Sequence, residues 1–233
     1  MLRSFVTRVA APSAQLITKQ VVPCAAVPVR TMCLEALLPK APPLNAFQKS
    51  KLQRKFYFYD IDGDGMIEYE DYKNYIDKIK SVYNLAEGDT LLHAFETEFQ
   101  AHWSRMLKLM DENKDGQLSM DEWMDYYPRV TQTFKAKTYD NLPTFLQTMA
   151  DAMFQIMDAK KDGYIDADEY REFWGKIDPP SLEADEARKQ IDHMTDNGHY
   201  KLTLDRFREV MADFTWSKDE KTIGKYAMGP IRT

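Results

Sequence analysis

Asp60-Ile61-Asp62-Gly63-Asp64-Gly65-Met66-Ile67-Glu68-Tyr69-Glu70-Asp71 packs six acidic side chains and two glycines into twelve residues. The same frame returns twice. It reads Asp111-Glu112-Asn113-Lys114-Asp115-Gly116-Gln117-Leu118-Ser119-Met120-Asp121-Glu122 and then Asp158-Ala159-Lys160-Lys161-Asp162-Gly163-Tyr164-Ile165-Asp166-Ala167-Asp168-Glu169. Each copy has Asp at position 1, Asp at 5, Gly at 6, an apolar residue at 8 and an acid at 12.

That spacing suits a divalent cation. Ca²⁺ takes about six to eight oxygens, drawn in a twelve-residue EF-hand loop from positions 1, 3, 5, 7, 9 and 12. The first loop offers Asp60, Asp62, Asp64, the Met66 carbonyl and Asp71, with Glu68 at position 9. The second offers Asp111, Asn113, Asp115, the Gln117 carbonyl, Ser119 through a water, and a bidentate Glu122. The third offers Asp158, Asp162, the Tyr164 carbonyl and Glu169, with Asp166 at position 9. Its position 3 is Lys160, a donor-only ammonium where an acceptor is wanted. Swung outward, that lysine leaves its place to water, so the third loop is expected to be the weakest. Gly65, Gly116 and Gly163 supply the positive-φ turn around the ion. Two to three Ca²⁺ ions are expected. The shorter Asp71 at position 12 favours one oxygen over two, so the first loop is expected to accept Mg²⁺.

The flanks repeat in the same register. Phe56 and Tyr59, Leu107 and Met110, Phe154 and Met157 lie four and one residues before the loops. Tyr72, Tyr75, Ile76 and Ile79 follow the first loop; Trp123, Tyr126, Tyr127 and Val130 the second; Tyr170, Phe173, Trp174 and Ile177 the third. Each set marks one apolar helical face. The template also finds a fourth unit, with Ile191 and Met194 before it, Leu202 at position 8, and Phe207, Val210, Met211 and Phe214 after it. Its loop, 195–206, has Thr195, His199, Tyr200 and Arg206 at positions 1, 5, 6 and 12, so it keeps the packing and lacks the ligands. Position 8 is expected to pair between loops, Leu202 with Ile165.

The fold expected is all-α: two pairs of EF-hands, the fourth hand degenerate, packed into one body with a separate leader. Pair one spans 46–135, pair two 136–217, and a tail 218–233; a Pro-rich connector covers 35–45. Helices are expected to start at Asp89, at Pro143 in a first turn, and at Ser181.

The net charge is −6, and it is uneven. Residues 1–34 hold four basic residues and no acid, leaving 27 basic against 37 acidic elsewhere, a net −10. An acidic body argues against nucleic acid. Leu2, Phe5, Val6 and Val9 share a helical face beside Arg3 and Arg8, the composition of a mitochondrial transit peptide, with a plain disordered leader over 1–34 as the alternative. A secretory core is broken by Pro23 and Pro28. A mitochondrial location is therefore expected, with a cytoplasmic one as the alternative. The mature chain would begin near Met32, Cys33 or Leu34, which N-terminal sequencing of the native protein reads. No run of eighteen apolar residues exists, so no transmembrane helix is expected. Cys24 and Cys33 both lie outside the repeats, which excludes a disulfide scaffold and leaves the body no thiol chemistry. With four histidines, no nucleophile elbow and no phosphate-cradling loop, the chain is not expected to be an enzyme.

From about Ala46 onward the chain resembles the invertebrate sarcoplasmic calcium-binding proteins. The likeness rests on four hands with one degenerate, spacers of 39 and 35 residues between the first three loops, and the ending Met228-Gly229-Pro230-Ile231. It implies a compact body, expected to be a monomer, that buffers Ca²⁺ and Mg²⁺ through its first three hands. The basic leader and Lys160 depart from that pattern. One alternative is a sensor that opens a Met-lined groove for a target protein, which the sequence does not name; Met106, Met110, Met153, Met157, Met194 and Met211 instead sit at core spacing. Another is a luciferin-binding relative using His93, His102, Trp103 and Trp123. His193 and His199 are expected to face solvent.

Overall fold

The computed structural model describes residues 40–231, apart from Asn84, Glu87, Asp89, 132–136 and Ser181. The leader and the helix starts expected at Asp89 and Ser181 lie outside the described residues. Four helix-loop-helix units follow one another, each with a two-residue strand inside its loop. The first is α1 (Ala46–Tyr59), β1 (Met66–Ile67) and α2 (Tyr69–Tyr83); the second is α3 (Thr90–Met110), β2 (Leu118–Ser119) and α4 (Met120–Thr131). The third is α5 (Thr144–Met157), β3 (Tyr164–Ile165) and α6 (Ala167–Ile177); the fourth is α7 (Ala184–Met194), β4 (Leu202–Thr203) and α8 (Leu204–Trp216).

Local chemistry sets the helix ends. Asn45 caps α1 in a reciprocal box: its side chain accepts from Gln48 N at 2.8 Å, and Gln48 Oε1 accepts from Asn45 N at 3.2 Å. Pro143 sits one place earlier than expected, at the N-cap of α5 and not inside its first turn. A cap needs extended backbone, and Pro143 supplies it with ψ 140°. Helix α7 starts at Ala184 after Glu183, which makes no side-chain cap.

The strands couple the loops in antiparallel pairs. Ile67 faces Leu118 and Ile165 faces Leu202, all four fully buried. The expected position-8 pairing is what holds loop one to two and loop three to four.

Above the ribbons the repeated apolar faces close on one another. Phe56, Tyr59, Tyr72, Tyr75, Trp123, Tyr170, Phe173, Trp174, Phe207 and Val210 are all buried. Tyr59 stacks on Tyr72 at 5.6 Å, and Tyr75 on Phe99 at 5.5 Å. The two pairs meet through Phe99–Phe145 at 5.0 Å, His102–Phe145 at 3.6 Å and Phe58–Trp174 at 6.1 Å. Each buried aromatic ring removes about 150–250 Å² from water, so these cross-pair contacts dominate the cohesion of the body.

The tail is part of this core. A 3₁₀ turn at Ile223–Tyr226 lies against α8 and leads into Ala227 and Met228, both buried. Arg54 of α1 donates through Nε to the Met228 carbonyl at 2.7 Å and through Nη1 to Asp178 at 2.7 Å, with its guanidinium 5.0 Å above the Trp174 ring. One buried cation thus ties hand one, hand three and the tail. His193 was expected in solvent; it is half-buried instead, with Nε2 2.7 Å from the Thr222 carbonyl and its ring edge-on to Tyr226. His199 is exposed.

Candidate metal centres

The backbone of each loop wraps around its own carboxylates. The position-1 aspartate accepts the amide of the position-6 glycine in all three: Gly65 N to Asp60 at 3.1 Å, Gly116 N to Asp111 at 3.0 Å, Gly163 N to Asp158 at 3.1 Å. The position-5 aspartate accepts the amide of position 7, so Met66, Gln117 and Tyr164 are pinned at the strand start. The position-12 carboxylate bridges the loop. Asp71 takes Ile61 N and Glu68 N, Glu122 takes Glu112 N and Ser119 N, and Glu169 takes Lys160 N and Asp166 N. These amide bonds aim the acid side chains inward, the arrangement a cation site needs.

One feature escaped the sequence reading. Position 4 is left-handed in every ligand-bearing loop, at Gly63 (φ 74°), Lys114 (φ 61°) and Lys161 (φ 55°). Gly63 hinted at it, but the two lysines gave no signal, because a non-glycine residue rarely takes this conformation.

Among the described residues, loop one gathers its candidate ligand carboxylates most tightly. Asp60, Asp62 and Asp71 each bring a carboxylate oxygen within 4.8 Å of the others. Asp60 Oδ1 is buried with no hydrogen-bond partner, an orphan acceptor that a cation would satisfy. Burial, then the neighbouring carboxylates, hold Asp60 above its ordinary value despite the Gly65 and Gly63 amides. Asp71 is raised by burial as well, with the backbone amides opposing and Asp62 reinforcing. Clustered acids that repel one another when ionised fit a divalent cation.

Loop two keeps Asp111, Asn113, Asp115 and Glu122 along its turn. Asn113 Nδ2 donates to Asp115 at 2.7 Å, and Ser119 Oγ donates to Glu122 at 2.8 Å. The Gln117 side chain leaves its own loop and donates to Glu68 of loop one, a polar link between the paired sites that sequence reading missed.

Loop three corrects one expectation. About half of the Lys160 side chain is exposed, but its ammonium stays with the loop and pairs with Asp166 across positions 3 and 9. Lys160 is raised by this bond, and Asp166 is lowered, because the lysine and the helix amides outweigh its burial. The lysine therefore acts as a counter-cation at the rim of the loop and engages the position-9 acid. Lys160→Asp is expected to replace this cation with a ligand and tighten loop three by about tenfold or more. Calorimetric Ca²⁺ titration reads it; an unchanged titration, with two ions bound before and after, would make loop three purely structural.

Loop four turns differently. Its positive φ values fall at Asp196, Asn197 and Gly198, positions 2 to 4, so Tyr200 at position 6 needs none. Thr195 Oγ1 bonds the Ile191 carbonyl, and Arg206 donates through Nε to the Met194 carbonyl at 3.0 Å. The position-12 place is filled by a guanidinium.

Among the described residues the histidines considered for a luciferin cavity do not gather. His93 is exposed on α3 while His102 is buried against Phe145. Trp103 packs on Tyr72, and Trp123 donates to the Leu52 carbonyl at 3.0 Å.

A family profile for an EF-hand domain pair matches residues 49–127, and one for a single EF hand matches 149–174. The chain is 27% identical over 181 residues to the sarcoplasmic calcium-binding protein beta chain of Penaeus sp., covering 76% of this chain and 92% of that protein. It is 28% identical over 184 residues to the sarcoplasmic calcium-binding protein of Scylla paramamosain, covering 76% and 91%. Its fold overlays that of a sarcoplasmic calcium-binding protein from amphioxus with a TM-score of 0.68, at 25% identity over 81% of this chain and 99% of that one.

Proposed function

Since this chain is an EF-hand calcium-binding protein related to the sarcoplasmic calcium-binding proteins, we propose that it is a Ca²⁺/Mg²⁺ buffer. In that role loops one to three take up ions as cargo, and loop four serves as a ligand-free partner for loop three. The observation that carries this is the closed apolar interior. The faces a sensor would open are already buried between the two pairs of hands, through Phe99–Phe145 and Phe58–Trp174. The methionines that would line a sensor groove, Met106, Met110, Met153, Met157, Met194 and Met211, are all at most 4% exposed. Sensors expose a Met-rich groove on binding, whereas buffers barely open. A hydrophobic dye present during Ca²⁺ titration is expected to stay dark throughout; a strong rise in its emission would make the protein a sensor.

Loop one is the Mg²⁺-tolerant site in this proposal. Mg²⁺ wants six oxygens at about 2.0–2.1 Å, whereas Ca²⁺ takes up to about eight at longer range. Asp71 is buried and short, and both of its oxygens accept backbone amides, from Ile61 at 3.0 Å and Glu68 at 2.7 Å. One methylene shorter than Glu122 and Glu169, which make the same two bonds in loops two and three, it reaches an ion with one oxygen. Asp71→Glu is expected to raise the Ca²⁺ over Mg²⁺ preference of loop one by about tenfold. Competitive titration measures this, and an unaltered preference would refute the Mg²⁺ assignment.

A further inference from the structure

Helix α1 carries three buried cations, Lys51, Arg54 and Lys55, each about 5–6% exposed. Arg54 is accounted for by Asp178 and the tail. Lys51 donates to the carbonyls of Phe214 at 2.5 Å and Ser217 at 2.6 Å, which caps the end of α8. Lys55 has neither kind of partner. Among the described residues its ammonium makes no hydrogen bond or ion pair, and its contacts are the rings of Tyr127 at 4.3 Å and Trp123 at 6.0 Å. A buried, uncompensated ammonium is costly, and ring faces offset only part of that cost.

Beside it lies a cavity of about 350 Å³. It opens at the helix ends remote from the ion loops, between the first turns of α1, the end of α4 and the end of α8. Four lysines line it, Lys51, Lys55, Lys137 and Lys218, and among the described residues no acid does. Its walls include Leu44, Leu52, Tyr127 and Phe214. In a protein of net charge −6 this is a local reversal of sign. The carboxylate that acts on Lys51, Asp213, is already engaged by the Gly224 amide at 2.7 Å and by Thr222. Burial pulls Lys51 down to about 8, with Asp213 opposing; burial and the neighbouring Lys51 pull Lys55 down to about 7.

We propose that this cavity binds a small anionic amphiphile, a medium-chain carboxylate whose head meets Lys55 and the spare N–H of Lys51 while its chain lies along Leu44, Leu52 and Phe214. Charge selects the head: a carboxylate gives Lys55 the charge-assisted partner it lacks. Size selects the tail: 350 Å³ is at the lower end of small-molecule sites. A single helical turn, about 5.4 Å long and 10 Å across, already occupies about 400 Å³, so a partner helix does not fit.

The test is calorimetry of the calcium-loaded full chain with dodecanoate below its micellar concentration, beside dodecyltrimethylammonium as an equal chain of opposite charge. Dodecanoate is expected to bind one per chain and the cation not to bind. Lys55→Met, which keeps the apolar stem, is expected to weaken dodecanoate at least tenfold, and Lys55→Arg to retain it. Calcium stoichiometry stays the same in both variants, which shows that they fold. No saturable dodecanoate binding, equal binding of the cationic amphiphile, full retention by Lys55→Met, or displacement of dodecanoate by an acidic helical peptide would each overturn the proposal.

Discussion

Glu122→Gln is expected to remove loop two from calcium binding, with its affinity falling more than about 100-fold. Loss of an outer-shell partner alone costs about 10–100-fold, and here a charged ligand itself is removed. The geometry adds a second effect. Oε1 accepts the Glu112 amide at 3.0 Å, and Oε2 accepts both the Ser119 amide at 2.9 Å and the Ser119 hydroxyl at 2.8 Å. A glutamine must place its NH₂ on one of these sides, setting donor against donor. The loop then loses both the charge and the bridge that closes it. The fold is expected to survive, because Leu118 and Trp123 remain fully buried on either side. Calorimetry would show one ion fewer than wild type. An unchanged count would mean that loop two draws its ligands from elsewhere.

Gly224→Ala is expected to destabilise the calcium-loaded protein by about 3 kcal/mol, which lowers its melting temperature by roughly 10 °C. A Cβ at this position falls 2.3 Å from Phe214 N and 2.3 Å from the Val210 carbonyl. Both are backbone atoms of α8, so no side chain can rotate away. The tail must lift, which gives up the bond of Gly224 N to Asp213 at 2.7 Å and strains Tyr170 OH on the Tyr226 carbonyl at 2.8 Å. Gly198→Ala is a fitting control, since only its φ of +78° opposes the change and no atom lies within 4 Å. Its cost is about 1 kcal/mol. Thermal unfolding followed by circular dichroism compares the two. Equal melting of Gly224→Ala and wild type would show that the tail does not clamp the body.

The parts of this structure legible in the sequence are those set by local spacing. The position-8 pairs Ile67–Leu118 and Ile165–Leu202 follow from the loop register, and the buried faces of α2, α4, α6 and α8 follow from helical periodicity. The gathering of Asp60, Asp62 and Asp71 follows from the same twelve-residue frame. The remainder depends on neighbours far away in the chain. Nothing in the local pattern of α1 marks Lys51, Arg54 and Lys55 as buried, since their partners lie on α4, α6, α8 and the tail, up to 174 residues distant. Lys160 was read as a lysine free to leave, because nothing in composition says that Asp166, caught at the N-cap of α6, stands within its reach. The Gln117–Glu68 link needs the ribbon between the loops to exist before the two side chains can meet. The inward turn of His193 likewise depends on where the tail returns.

The central claim is that three loops of this body hold divalent cations and the fourth does not. Calorimetric titration of the full chain with Ca²⁺, in the absence of Mg²⁺, tests it most directly. The account predicts three ions per chain, the weakest in loop three, where Lys160 engages Asp166. A count of four would show that loop four binds despite Arg206 at its closing position, a count of two would leave loop three structural, and a count of one would show that the shared register does not make a site; each would contradict the account.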